Sequence, residues 1–276
     1  MMLITGSTGN VGSALLKQLR AVDAGPLRAL TRNADASFPE GVEAAEGDFA
    51  DVASLEPALD GVHSMFLVSR LGPDADILDA ARRAGVEHVV LVSSITVQTH
   101  PHLGPAAENA AVERLLETSG MDWTILRPTQ FASNALLWAD AIQERRSVQV
   151  PYADVGLPTI HPADIAAVAR VALTEPGHRG HRYALTGPDR ITPREQVATI
   201  AAVLDREIEC AEIGRAQARA TMVTVFGEEA ADAVLDVTGG DVNDELLAVR
   251  DTVSRITGSP GRPFRQWVEE NAMAFQ

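Results

Sequence analysis

The sequence predicts an α/β protein, a doubly wound parallel sheet with a smaller, mostly helical C-terminal lobe. Short β-rich runs alternate with helical patterns over the first two thirds of the 276 residues. Such alternation demands parallel strands covered by helices on both faces. The first run turns into a helix through "ITGSTGNVG", with glycines at positions 6, 9 and 12. After residue 130 the texture changes and helices dominate, which predicts the lobe.

In order, strands are expected at Met2–Thr5, Leu27–Thr31, Val42–Glu46, Ser64–Val68, His88–Val92 and Trp123–Leu126. Between them "NVGSALLKQLRA", "DVASLEPALD", "PDADILDAARRAG" and "AAENAAVERLLETSG" place apolar residues at helical spacing. Asp51 and Asp74 are read as N-terminal caps, and Gly85 and Gly120 as C-terminal stops. "QFASNALLWADAIQERR" reads as a helix, "HPADIAAVARVAL" as one returning to the sheet, and "HRYALT" as a further strand. "REIECAEI" reads as a strand carrying a buried Cys210. Residues 1–130, with 151–187 returning to the sheet, therefore form one unit. Residues 131–150 and 188–276 form the lobe. It is expected over the carboxyl ends of the strands, where ligands of such sheets bind.

Composition narrows the function classes. No apolar run reaches the roughly 18 residues of a membrane span, and Met1–Ile4 runs straight into a glycine turn, unlike a signal peptide. A lone cysteine fits a reducing cytoplasm. Net charge is −15, from 38 acids against 23 bases, so a phosphate backbone is repelled and nucleic acid is not the expected partner. The basic pairs Arg82–Arg83 and Arg145–Arg146 are placed on solvated helix faces.

The glycine loop carries the most specific signal. Gly6 permits a tight turn after the first strand, Gly9 lets a pyrophosphate approach the backbone, and Gly12 lets the helix pack on the sheet. Ser7 and Thr8 complete the turn, and free N–H groups around Asn10 and Val11 face the anion with the helix dipole behind them. The expectation is a Rossmann-like dinucleotide site. NAD-specific sites carry an acidic residue about 20 residues on, at the end of the second strand. Here "LTRN" puts Arg32 there. An arginine suits a 2′-phosphate, so NADP(H) is preferred over NAD(H). The Ser7 hydroxyl is expected to add to the same phosphate.

Many enzymes on this architecture exchange a proton through a Tyr-x-x-x-Lys pair. The only lysine is Lys17, and neither Tyr152 nor Tyr183 has a lysine four residues downstream. His100 and His102 in "THPHLGP" have the chemistry of metal ligands or proton donors, but no third ligand is evident and no metal is expected. His161 and Asp164 in "HPADIA" read as a helix entry, with Asp164 satisfying backbone donors.

Several segments occur together and in order: "ITGSTGNVGSALLKQL", "GDFADVASLEPALDGVHSMFLVS", "VEHVVLVSS", "SGMDWTILRPTQFASN", "HPADIAAVARVAL" and "GHRYALTGPDRITPREQVATIAAVL". On these the chain resembles the NmrA-like branch of the atypical short-chain dehydrogenases/reductases over nearly its whole length. That family includes NADPH-dependent quinone and triarylmethane dye reductases, and redox-sensing regulators that bind the cofactor without turning it over. The resemblance implies that Asp48 and Phe49 contact the adenine and that Val68 and Ser69 border its ribose. It implies that Ser94 is the active-site serine and that Pro128 and Thr129 lie beside the nicotinamide. Gln130, Phe131 and Tyr152 are implied to face the substrate, and Trp138 is added as a pocket aromatic because few aromatics are available. The usual tyrosine and lysine positions hold Pro105 and Asn109.

The function expected is an NADPH-dependent reductase of a small aromatic or quinone-like acceptor. The alternatives are an NADP(H)-binding redox sensor without turnover, and an isomerase or cyclase with a structural cofactor. The expected partner is a small-molecule acceptor, with a homodimer or a regulatory protein partner left open.

Overall fold

The computed structural model describes residues 1–33 and 35–276. In chain order the elements are β1 (Met2–Ile4), α1 (Asn10–Ala21), β2 (Leu27–Thr31), β3 (Val42–Glu46), α2 (Glu56–Leu59), β4 (Ser64–Val68) and α3 (Asp74–Arg83). Then come β5 (His88–Val92), α4 (Thr96–Thr99), α5 (Gly104–Glu117), β6 (Asp122–Pro128), α6 (Ala139–Gln143), β7 (Val148–Val150), α7 (Pro162–Thr174) and β8 (His181–Leu185). The C-terminal part adds α8 (Pro193–Leu204), β9 (Cys210–Glu212), α9 (Arg215–Phe226), α10 (Glu228–Leu235), α11 (Asp244–Leu247), α12 (Thr252–Thr257) and α13 (Phe264–Glu270).

The main sheet has seven parallel strands in the order β3-β2-β1-β4-β5-β6-β8. Strand order reverses between β1 and β4, which makes their carboxyl ends the switch point where ligands of this architecture bind. Period-two alternation sorts the core into two layers. Leu3, Met65, Leu67, Val89 and Leu91 pack with Ile77 of α3 and with Val112 and Leu116 of α5. Ile4, Phe66, Val90 and Val92 pack on the opposite face with Leu15 and Leu19 of α1 and Ile165 and Ala169 of α7. Both faces are therefore covered, and the central strands read as unbroken apolar runs. A third cluster, around Val148, Val150, Val197, Ile200, Phe264, Trp267 and Phe275, forms the core of the C-terminal part.

Several local expectations need correction. Asp51 makes no side-chain cap. Asp74 lies inside α3, and its carboxylate accepts the Arg70 N–H instead. The helix expected over residues 130–146 is a 3₁₀ turn at Ala132–Trp138 followed by the short α6. Arg145–Arg146 therefore fall beyond the helix end, with Arg145 at φ 56°. Cys210 is in a strand but only half-buried. That strand, β9, pairs in parallel with β7, which the alternation of residues did not reveal. Gly85 directly follows the cap of α3 at φ 88°, where a side chain is disfavoured, whereas Gly120, at φ 86°, lies two residues beyond the Thr118 cap of α5.

Candidate cofactor and active site

The loop from Thr5 to Asn10 joins β1 to α1 at the switch point. Gly6 sits at φ 57°, and its carbonyl accepts the Gly9 N–H at 2.9 Å, closing the turn. A Cβ on Gly12 would lie 2.7 Å from the Gly6 carbonyl carbon and 3.0 Å from Ser7 Cα, so only glycine lets α1 approach this closely. The N–H groups of Asn10, Val11 and Gly12 are first-turn donors that no intrahelical carbonyl can take. No acidic side chain in that turn and no side-chain cap competes for them. The cradle therefore fits a pyrophosphate on the residues present.

The Ser7 hydroxyl is not available to a 2′-phosphate, which corrects the expectation. Ser7 is buried, and its Oγ donates to the Leu30 carbonyl at 2.6 Å, stapling the loop to the end of β2. Thr8 and Asn10 are exposed on the loop, whereas Val11 is buried against the sheet. Arg32 follows β2 directly and is exposed, with no carboxylate at ion-pair distance among the described residues. After β3, Asp48 Oδ1 accepts the Ala50 N–H, and Phe49 is buried with Cβ close against Gly72. Val68 Cγ2 lies 3.5 Å from where a Cβ on Gly6 would stand, so the end of β4 borders the loop.

Helix α5 acts here as a clamp on two strand ends. Asn109 is buried, and its Oδ1 accepts from Ser69 Oγ at 2.8 Å while its Nδ2 donates to the Pro105 carbonyl at 2.9 Å. One turn later Glu113 Oε1 accepts from Ser93 Oγ at 2.6 Å and from Arg127 Nε at 2.9 Å. Residues four apart share a helix face, so one face of α5 holds the ends of β4 and β5. Sequence reasoning missed Glu113 and Arg127. The signal was a carboxylate on the otherwise buried stripe Ala106, Val112, Leu116.

Ser94 lies two residues past the end of β5, half-buried. Its Oγ accepts the Thr96 N–H at 3.2 Å and lies 2.8 Å from Thr96 Oγ1. Pro128, the last residue of β6, and Thr129 after it are buried. The Pro128 carbonyl accepts the Ile95 N–H, and Thr129 Oγ1 donates to the Pro158 carbonyl at 2.6 Å. Gln130 accepts the Ile160 N–H through its carbonyl, and Phe131 packs against the second core layer. These bonds bring the loops after β5 and β6 together at the same edge of the sheet as the glycine cradle. Trp138, by contrast, packs on the C-terminal cluster.

His100 is fully buried with both ring nitrogens engaged. Nε2 donates to the Asp241 carbonyl at 2.5 Å, and Nδ1 is 2.8 Å from Thr99 Oγ1. It therefore ties the loop after β5 to the C-terminal part, with both ring nitrogens taken up by that tie. His102 is exposed, 3.8 Å from the Asp241 carboxylate. His161 caps α7, its Nδ1 accepting the Ala163 N–H at 3.0 Å. Its Nε2 sits 3.2 Å from Glu270 Oε2 without forming a hydrogen bond. Asp164 accepts the Arg262 N–H at 2.7 Å and pairs with its guanidinium. Tyr152 lies at φ 52°, and its Oη accepts from Arg215 Nη1 at 3.2 Å.

A protein-family model described as NAD(P)H-binding matches residues 6–176. The chain is 38% identical to a (4-alkanoyl-5-oxo-2,5-dihydrofuran-3-yl)methyl phosphate reductase of Streptomyces griseus, over 100% of this chain and 99% of the relative. It is 34% identical to an NAD(P)H azoreductase of Xenophilus azovorans, over 100% and 99% of the two chains. An Escherichia coli NADPH-dependent quinone oxidoreductase, solved in complex with NADPH, superposes with a TM-score of 0.81 at 28% identity, covering 98% of this chain and 99% of that one.

Proposed function

The chain belongs to the NAD(P)H-binding family, in the NmrA-like branch of the atypical short-chain dehydrogenases/reductases, and from that premise we propose that it is an NADPH-dependent reductase of a small aromatic or quinone-like acceptor. The observation that carries this reading is the cradle at Gly6–Gly12, where a side chain at Gly12 has no room and three first-turn N–H groups await an anion. NADPH, when bound, supplies a hydride, and the chain's own residues bind, orient and exclude water. Gly6, Thr8, Gly9, Asn10, Val11 and Gly12 hold the pyrophosphate. Asp48, Phe49, Val68 and Ser69 border the adenosine, and Pro128 and Thr129 border the nicotinamide. Gln130 and Phe131 wall the acceptor. Residues 1–130 with 151–187 form the cofactor side, and 131–150 with 188–276 the acceptor side. Oxidation of NADPH across quinones, azo dyes and simple carbonyls tests the reading. Tight NADPH binding with no turnover on any of them would overturn it.

Arg32 is assigned to the 2′-phosphate and hence to the preference for NADP(H). Loss of charge-assisted bonds from one guanidinium costs about 1.5–3 kcal/mol. Arg32→Ala is thus expected to weaken NADPH roughly ten- to hundred-fold and to leave NADH almost unchanged. Titration of both cofactors checks this, and equal losses would remove the assignment.

Ser94 is assigned to the acceptor oxygen. Its Oγ accepts the Thr96 N–H and can also accept from Thr96 Oγ1, which leaves its own hydroxyl proton for a third partner. One neutral hydrogen bond is worth about 1 kcal/mol, so Ser94→Ala should slow turnover by roughly tenfold or less. A loss in the range of general acid catalysis, about 10²–10⁴-fold, would give Ser94 a proton-transferring role instead.

A further inference from the structure

Reduction of a carbonyl or quinone oxygen also needs a proton, and α5 offers none, since Pro105 and Asn109 stand where the tyrosine and lysine would be. The chain has two tyrosines. Tyr183 lies within β8, buried, with its hydroxyl 2.9 Å from His178 Nδ1, a residue that precedes the strand. Tyr152 is different on every count. It follows β7 in the left-handed region at φ 52°, which a bulky side chain adopts only under constraint and which recurs at functional sites. Its side chain packs directly on Gly239, where any Cβ would collide with Tyr152 Cβ, Cγ and Cδ2. Its Oη would be 3.0 Å from a Cβ on Gly240. Two consecutive glycines in the turn Asp236–Gly240 thus make the seat for this one phenol.

Arg215 of α9 completes the arrangement. A guanidinium has donors only, so Tyr152 Oη must accept the bond from Arg215 Nη1, and the phenolic proton is left over. Among the described residues nothing accepts that proton. The guanidinium is itself fixed by Asp236 Oδ1 at 2.7 Å and by Asp232 Oδ1 at 3.8 Å. Val155 and Val237, close in sequence to Tyr152 and to its glycine seat, pack with Ile95 of the loop after β5, which sets this region at the strand-end crevice. Asp241 follows Gly240 and binds His100 on the loop that starts at Ser94, and Pro158 and Ile160 bind Thr129 and Gln130.

We propose that Tyr152 is the proton donor of the reduction and that Arg215 takes the part of the absent lysine, an inference that rests on the reductase reading. Hydride from NADPH reaches the acceptor, and an electron pair moves onto the acceptor oxygen. The Tyr152 O–H bond breaks as its proton forms a new O–H bond there. The phenolate left behind faces the Arg215 guanidinium until water returns a proton.

Two readouts test this. In steady state, Tyr152→Phe should lower kcat by about 10²–10⁴-fold with little change in KM. Arg215→Met should follow it, and Arg215→Lys should recover most of the loss. The second readout needs no turnover. With NADP⁺ present, p-nitrophenolate bound to the wild type should show an absorption band shifted to shorter wavelength by hydrogen-bond donation to its oxygen, and Tyr152→Phe should lose most of that shift. A Tyr152→Phe enzyme that keeps the wild-type kcat, or equal nitrophenolate spectra in the two proteins, overturns the proposal. Absence of NADPH oxidation by the wild type would instead sink the reductase reading, leaving the spectra to judge Tyr152.

Discussion

Glu113→Ala is expected to cost about 3–5 kcal/mol of folding stability, the range for breaking a buried ion pair from one side. The Glu113 side chain is 4% exposed and Arg127 14%. The carboxylate accepts from Arg127 Nε and Nη2 and from Ser93 Oγ. Its removal leaves a largely covered guanidinium without its counter-charge and a buried hydroxyl without its acceptor. At about 2–4 °C per kcal/mol for a chain of this size, the melting temperature should fall by roughly 10 °C. Replacing both partners by apolar residues removes the orphaned charge along with its counterpart. Glu113→Leu/Arg127→Met should therefore be more stable than Glu113→Leu alone. Thermal melts of the wild type and these variants decide it, and a double variant no better than the single one would refute the account. The same pair bonds Gln98 through Arg127 Nη1, and Gln98 in turn donates to Glu245, so loosening it should also disturb the acceptor side.

Stability should also fall on acidification below about pH 6.5, with His88 as the largest single contributor. His88 is 2% exposed, and Thr124 Oγ1 donates to the His178 carbonyl, so Thr124 can only accept from His88 Nε2 at 3.0 Å. The ring is thus a neutral donor. Burial, followed by the Arg179 charge, pushes its pKa down from 6.5 to about 4. A folded-state pKa below the unfolded one means that the unfolded chain binds the extra proton first. The stabilisation is complete above pH 6.5, is lost as pH falls through the window from 6.5 to about 4, and levels off below it. The full difference is about 3 kcal/mol. His161, whose pKa is also lowered by burial, acts in the same direction, opposed by Glu270 and Asp164. His88→Gln keeps a donor for Thr124 but does not titrate, so its stability should depend less steeply on pH across this window. Denaturant unfolding at pH 7 and pH 4.5 measures the slope for both proteins, and identical slopes would remove His88 from the explanation.

What could be read directly was whatever depends on near neighbours in the chain. The bounds of β2, β3, β4 and β5 follow from apolar runs punctuated by turns, and each coincides with the run expected. The cradle follows from glycines at fixed offsets, because the steric demand at Gly12 comes from Gly6 and Ser7, a few residues away. Arg32 could be placed because the strand before it ends where the alternation stops. Other features depend on partners far away in sequence, and no local period encodes those. Ser7 spends its hydroxyl on Leu30 because the loop packs on β2. Asn109 and Glu113 became clamps because α5 crosses the sheet with that face toward Ser69 and Ser93. His100 lost its apparent freedom to a carbonyl 141 positions on. Tyr152 met Arg215, 63 positions away, through two glycines that read only as another turn. A hydroxyl or guanidinium has the same chemistry wherever it stands. Which atom it faces is set by how helices cross strands, and that geometry exists only once the whole chain has packed.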